Sequence, residues 1–111
     1  MLKRFLEISI LAVALLFING QTNYAEAYEQ YVGTSKDGYA FYLMTETVGG
    51  NRSNFSCRVR AVKSNGNVIY ISYSFWYNYG WYFSNSQGFQ KAVSYSTPLA
   101  QNILNFVLNN Y

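Results

Sequence analysis

The sequence predicts an α+β domain: a five- to six-stranded antiparallel meander with a C-terminal helix packed on one face, preceded by a signal peptide. Three observations predict it. The stretch Val68 to Phe83 (VIYISYSFWYNYGWYF) is dominated by aromatic and β-branched residues, which suit a pleated, half-buried surface. Apolar residues alternate with period two over Tyr39–Thr45, Phe55–Lys63 and Asn67–Tyr77, with short Gly-containing breaks between them. After Thr97-Pro98 the apolar spacing becomes helical.

The N-terminus carries its own signal. Lys3 and Arg4 precede the apolar run Ile8–Ile18, a polar segment follows, and Ala25-Glu26-Ala27 has the form of a cleavage site. That is the pattern of a secretory signal peptide. The run is about half of the ~20 residues that cross a bilayer. The predicted domains are therefore residues 1–27, the signal peptide, and residues 28–111, one small exported domain with no membrane insertion after cleavage. Such a domain buries only about 60–65% of its unfolded surface. It has a single cysteine and so no internal disulfide, and its 20% aromatic content is the expected compensation.

Tyr28–Thr34 is the first candidate strand, and Ser35-Lys36-Asp37-Gly38 the first turn. Tyr39–Thr45 sets Tyr39, Phe41 and Leu43 against Ala40, Tyr42 and Met44. Thr47–Asn54 reads as a polar loop around Gly49-Gly50. In the next strand Phe55, Cys57, Val59 and Ala61 share a face opposite Ser56, Arg58 and Arg60. In Asn67–Tyr77, Ile69, Ile71, Tyr73, Phe75 and Tyr77 share a face opposite Val68, Tyr70, Ser72, Ser74 and Trp76.

The pattern selects a register. A two-residue Asn65-Gly66 loop would set Arg60 opposite Ile71 and Arg58 opposite Tyr73, mixing the faces. A three-residue loop, Ser64-Asn65-Gly66, sets Ala61 opposite Ile69, Val59 opposite Ile71, Cys57 opposite Tyr73 and Phe55 opposite Phe75. A one-residue slip would turn a strand's whole apolar set to the wrong side. The same grammar, with Gly last in the left-handed conformation, is predicted for Lys36-Asp37-Gly38 and Asn78-Tyr79-Gly80. Trp81–Ser86 is the returning strand. Asn85–Ser96 is either a short edge strand or a packed loop around Phe89 and Ala92-Val93. Thr97 and Pro98 are a favoured N-cap and first helical residue, and Leu99, Ala100, Ile103, Leu104, Phe106, Val107 and Leu108 give the helix a wide apolar surface.

The chemistry is defined first by what is missing. The chain has no histidine, which removes Ser-His-Asp and Cys-His constellations, His-ligated metals and imidazole acid–base work. After the signal peptide the carboxylates are Glu29, Asp37 and Glu46, and Asp37 suits a turn. The expectation is a non-enzymatic protein with no cofactor and no metal. The net charge of +3 is sparse, and only Arg58, Arg60 and Lys63 cluster, which is not the basic stripe of a nucleic-acid binder. Cys57, between Phe55 and Val59 on the apolar face, reads as a small buried hydrophobe rather than a reactive thiol.

The candidate ligand-binding residues are Tyr42, Arg60, Tyr70, Trp76 and Tyr82, gathered by the register on the face opposite the core. Tyr, Trp and Arg are enriched at interaction hot spots. The competing reading is cross-strand pairing that only stabilises the sheet. Tyr42-Leu43-Met44-Thr45-Glu46-Thr47-Val48, a Gly-containing loop and Phe55-Ser56-Cys57-Arg58-Val59-Arg60 are similar to the surface-adhesin E-like small exported bacterial proteins. The Trp81-Tyr82-Phe83-Ser84 strand and Thr97-Pro98 helix resemble uncharacterised short secreted bacterial proteins. Met44 stands where the adhesin pattern has Asp, and the family's cysteine pair is missing. The resemblance implies export to periplasm, cell surface or medium, and a sheet architecture. The expected function is a binding or adhesion module whose partner is a protein or an envelope or extracellular polymer. The alternative is a structural or inhibitory protein docking by a sheet edge, at Tyr28–Thr34 or near Phe89.

Overall fold

The computed structural model describes residues 27–111, so the proposed signal peptide lies, except for Ala27, outside the described residues. The chain forms β1 (Glu29–Thr34), β2 (Ala40–Asn51), β3 (Asn54–Val62), β4 (Val68–Tyr77), β5 (Trp81–Asn85), β6 (Gln90–Ala92) and α1 (Pro98–Asn110). The six strands make one antiparallel sheet in the order β1-β2-β3-β4-β5-β6. This is the α+β meander that the alternation predicts.

The β3–β4 register sets Ala61 opposite Ile69, Val59 opposite Ile71, Cys57 opposite Tyr73 and Phe55 opposite Phe75. Lys63 and Asn67 close the loop with a bond from Lys63 N to the Asn67 carbonyl, 2.9 Å. Gly66 sits at φ +94°, the left-handed value that the third loop position requires. The same closure recurs between Ser35 and Tyr39 and between Asn85 and Phe89. The last resolves Asn85–Ser96: Ser86-Gln87-Gly88 is a loop of the same kind, and Gln90–Ala92 is the short edge strand β6.

Three local expectations are corrected. In the Asn78–Gly80 loop Tyr79, not the glycine, is left-handed at φ +56°, and Gly80 is nearly extended. Tyr77 directs its N–H to Ser53 on the β3 side, so the closing bond runs from Asn78 N to the Gly80 carbonyl and Tyr79 takes the apex. Thr47–Asn54 is not a loop: β2 runs on to Asn51 and a tight turn at Arg52-Ser53 leads into β3. The interruption inferred from Gly49-Gly50 is instead a bulge, where the register shifts between Met44 and Gly49. There the Thr47 hydroxyl accepts from Arg58 N at 2.8 Å and donates to the Met44 carbonyl at 2.6 Å, repairing the ladder. Finally, Thr97 precedes α1 but makes no side-chain cap. Its hydroxyl donates to the Ser94 carbonyl instead, closing the turn from β6.

Phe41, Leu43, Phe55, Cys57, Val59, Ala61, Ile71, Tyr73, Phe75 and Phe83 form the buried face of the sheet, with Phe75 and Leu43 wholly inaccessible. The helix adds Ala100, Ile103, Leu104 and Val107 and lies against β1 and β2. Burying Ile103, Leu104 and Val107 contributes about 1.5–3 kcal/mol each before entropy is subtracted. Both helix ends are fastened by polar contacts that periodicity does not reveal. Asn102 donates to the Val32 carbonyl at 2.7 Å, where β1 is bulged. Arg52 donates to the carbonyls of Leu108 (3.0 Å) and Tyr111 (3.2 Å), satisfying groups that a helix C-terminus leaves open. The Tyr111 hydroxyl donates to the Thr45 carbonyl in the β2 bulge, 2.9 Å.

Gly33 completes the β1 bulge at φ +141°, and a Cβ there would lie 2.7 Å from Leu99 Cδ2. Gly33→Ala is therefore expected to lower stability by about 1–3 kcal/mol, a fall in Tm of several degrees or more. Ile103→Asp should abolish the cooperative transition, since it buries a charge with no partner. Thermal denaturation followed by near-UV circular dichroism checks both; an unchanged Gly33→Ala transition would contradict the close helix–bulge contact.

Candidate functional site

The face away from the helix is built by the other half of the alternation. Reading across the strands, Tyr31 pairs with Tyr42, Tyr42 with Arg60, and Arg60 with Tyr70. The next row is Glu29, Met44, Arg58 and Ser72, and beyond it Ser56, Ser74 and Ser84. The last is Asn54, Trp76 and Tyr82.

Tyr42, Arg60 and Tyr70 thus come together, whereas Trp76 and Tyr82 do not join them. Those two rings stack on each other, centroids 6.1 Å apart and planes 15° apart. Trp76 lies six positions along β4 from Tyr70, about 20 Å of strand. Ser72 and Ser74 fill the interval on that face, so the five predicted residues form two patches divided by a serine strip.

The first patch contains three residues that sequence reasoning missed. Tyr31 packs against Tyr42 at 5.7 Å. Counting back from the Ser35–Tyr39 closure would place Tyr31 opposite Leu43, on the core side. The bulge at Val32 shifts the phase by one, turning Val32 inward and Tyr31 outward. Arg58 stands over the Tyr70 ring at 5.3 Å. Its signal was legible, because it alternates with Arg60 and lies one row from Tyr70. Glu29 had no local signal: it receives bonds from Arg60 Nε (2.8 Å) and Nη2 (2.6 Å) by reaching diagonally across β2.

That pair divides the roles of the two arginines. The Arg60 hydrogen bonds hold the Glu29 carboxyl below its ordinary range. Arg60 also lies over the Tyr42 ring at 5.3 Å, so its guanidinium is engaged on two sides. Arg58 makes no ion pair among the described residues and is the exposed cation of the patch. Tyr70 beside it and Tyr31 at the β1 end of the neighbouring row are 53% and 52% exposed, enough to meet a partner. Tyr82 is 37% exposed and Trp76 is half-buried, so the second patch is flatter and more enclosed.

The opposite side of the sheet holds a groove of about 790 Å³ beside the helix entry, lined by residues that include Phe41, Ile69, Tyr73, Phe83 and Leu99. No sequence motif marks it. It exists because α1 lies over β1 and β2 and β5 is only five residues long. Cys57 lies in the core beneath the sheet face, and burial pushes its thiol up to about 12. Among the described residues no group of three or more His, Cys, Asp or Glu side chains is arranged to hold a metal ion. No described helix is long and apolar enough to cross a membrane.

No family model, curated protein or solved structure matches this chain.

Burial raises the pKa of both Cys57 and Tyr73, so folding favours their protonated forms. The unfolded chain ionises first, from about pH 8.5 for a thiol. Stability is therefore fully present below that pH and declines as pH rises from about 8.5 toward 12. A Tm series from pH 7 to 10.5 should show this decline, and Cys57→Ala should flatten it. Cys57 should also resist maleimide labelling at pH 7.5 until denaturant is added; rapid labelling of the folded chain would show an accessible thiolate.

Proposed function

We propose that this chain is an exported, non-enzymatic binding or adhesion module. Its contact surface is the open face of the sheet, centred on Tyr31, Tyr42, Arg58 and Tyr70 with Arg60 as their support, and Trp76–Tyr82 forms a second contact. The partner is a protein or an envelope or extracellular polymer. The observation that carries this reading is the exposed Tyr–Arg–Tyr row on a face that no described element covers. Large rings and a guanidinium there cost little conformational entropy to order and offer both apolar area and hydrogen bonds. A face built only to stabilise the sheet has no need to leave Tyr31 and Tyr70 half in water.

The carboxylates support a role without catalysis. Glu29 is occupied by Arg60, and the Ser35 hydroxyl donates to Asp37 in a turn. Glu46 is exposed on β2. These are three separate environments rather than one acid–base pair.

Docking through a sheet edge is the second reading, and one observation favours it. β5 ends at Asn85, opposite Tyr73, so Val68–Ile71 runs past its neighbour. Ser72 N is met there by the Ser86 hydroxyl at 3.0 Å, and the peptide groups of Tyr70 face the same side. The two ends of the sheet are poorer candidates, since β1 is bulged and β6 has three residues.

A photo-crosslinking amino acid placed in turn at positions 68, 70, 76 and 109 of the full chain, in the source cell, tests these readings. Discrete adducts at 70 and 76 but not at 109, on the outer side of the helix, are expected. Adducts at 68 without 76 would transfer the function to the β4 edge, and equal labelling everywhere would overturn both. With a partner in hand, Arg58→Glu and Tyr70→Ser should each weaken binding about thirtyfold while moving stability by no more than about 0.5 kcal/mol.

A further inference from the structure

The groove on the helix side stands apart from the open face and has its own chemistry. Phe41, Ile69, Tyr73 and Phe83 make an apolar floor, and Pro98 and Leu99 form one wall. Its volume of about 790 Å³ falls in the range of small-molecule sites. The rim is polar and mostly cationic. Lys36 and Lys91 both line it. Lys63 places its Nζ 5.2 Å from the centre of the Tyr39 ring, and Tyr39 also lines the groove. Every lysine among the described residues is thus drawn to this one opening, while the arginines lie elsewhere. The lining holds one carboxylate, Asp37, which already accepts a bond from the Ser35 hydroxyl.

An apolar floor with ammonium groups along its rim is complementary to a molecule with an alkyl chain and a negative head. We propose that this groove binds a free single-chain fatty acid. The chain lies along Phe41, Ile69, Tyr73 and Phe83, and the carboxylate lies in the positive field that Lys36, Lys63 and Lys91 set up along the rim. Lys91 lies over the Phe89 ring at 5.6 Å, and both are exposed at the mouth of the groove. A neutral amphiphile would gain the floor but not the rim, and a cationic one would be repelled by it. The site is independent of the open face and uses none of its residues.

Isothermal titration of the full chain with decanoate and dodecanoate, below their micelle concentrations, tests the proposal. Saturable one-to-one binding is expected, about tenfold tighter for the longer chain because two more methylenes are buried. Lys36→Gln with Lys91→Gln should weaken dodecanoate about tenfold. Ile69→Trp should fill the floor and abolish binding, and Arg58→Gln, on the other face, should change nothing. Should Ile69→Trp fail to fold, methyl NMR of the unaltered chain gives the same information: dodecanoate should shift Ile69 and Leu99 and leave Val68 unmoved. Absence of binding would overturn the proposal, including where the groove is filled by the chain's own N-terminal residues or by a second copy. So would equal binding of dodecyl maltoside or dodecyltrimethylammonium, or methyl shifts confined to the open face.

Discussion

Ser64, Asn65 and Gly66 join β3 to β4, and the pairing they impose fixes the two faces of the sheet. With Lys63 bonded to Asn67, Phe75 meets Phe55 and is wholly buried between Cys57, Tyr73 and Phe83. A loop one residue shorter would turn Arg58 and Arg60 toward that core, where unpaired charge costs several kcal/mol. The left-handed glycine at position 66 is what allows a three-residue loop to close at low cost. The same loop is used between β1 and β2 and between β5 and β6, so most of the meander's register depends on one local device.

The helix depends on the sheet's irregularities rather than on its regular part. α1 has neither an acidic first turn nor a basic last turn, and its entry lacks a side-chain cap. It is held instead where the ladder breaks. The β1 bulge gives up the Val32 carbonyl to Asn102, and the β2–β3 turn supplies Arg52 to the helix C-terminus. The β2 bulge receives the Tyr111 hydroxyl on Thr45. Bulges leave backbone groups without ladder partners, and buried or half-buried groups of that kind must find others. Here the helix provides them. These contacts set it over β1 and β2 rather than over β4 and β5. The groove with the lysine rim is the consequence.

On the open face the β1 bulge has a second consequence. By moving Tyr31 across the sheet, it extends the row Tyr42–Arg60–Tyr70 to the edge strand and places Glu29 within reach of Arg60. The ion pair is exposed and therefore contributes little stability. Its effect is positional: Arg60 is held over Tyr42, and Arg58 remains the cation presented to solvent. Tyr42, Arg60 and Tyr70 were readable because period-two alternation and one loop length suffice to place them. The separation of Trp76 and Tyr82 was also implicit in that alternation, since Ser72 and Ser74 occupy the positions between. Tyr31 and Glu29 were not readable, because one inserted residue at Val32 reverses the parity on which such reading depends.

The sequence alone determined the fold class, the strand order, the β3–β4 and β4–β5 registers, the buried position of Cys57 and the existence of the helix. Each of these follows from local periodicity, from turn residues, or from the short loops that force neighbours in sequence to be neighbours in the sheet. The continuation of β2 through Gly49-Gly50, the left-handed Tyr79, the engagement of Arg60 by Glu29 and the groove between α1 and β4 were decided only in the tertiary structure. All four arise from contacts between residues far apart in the chain or from changes of phase at a bulge. No window of alternation or propensity contains that information, because the energy that selects those arrangements comes from partners that meet only after the sheet has formed.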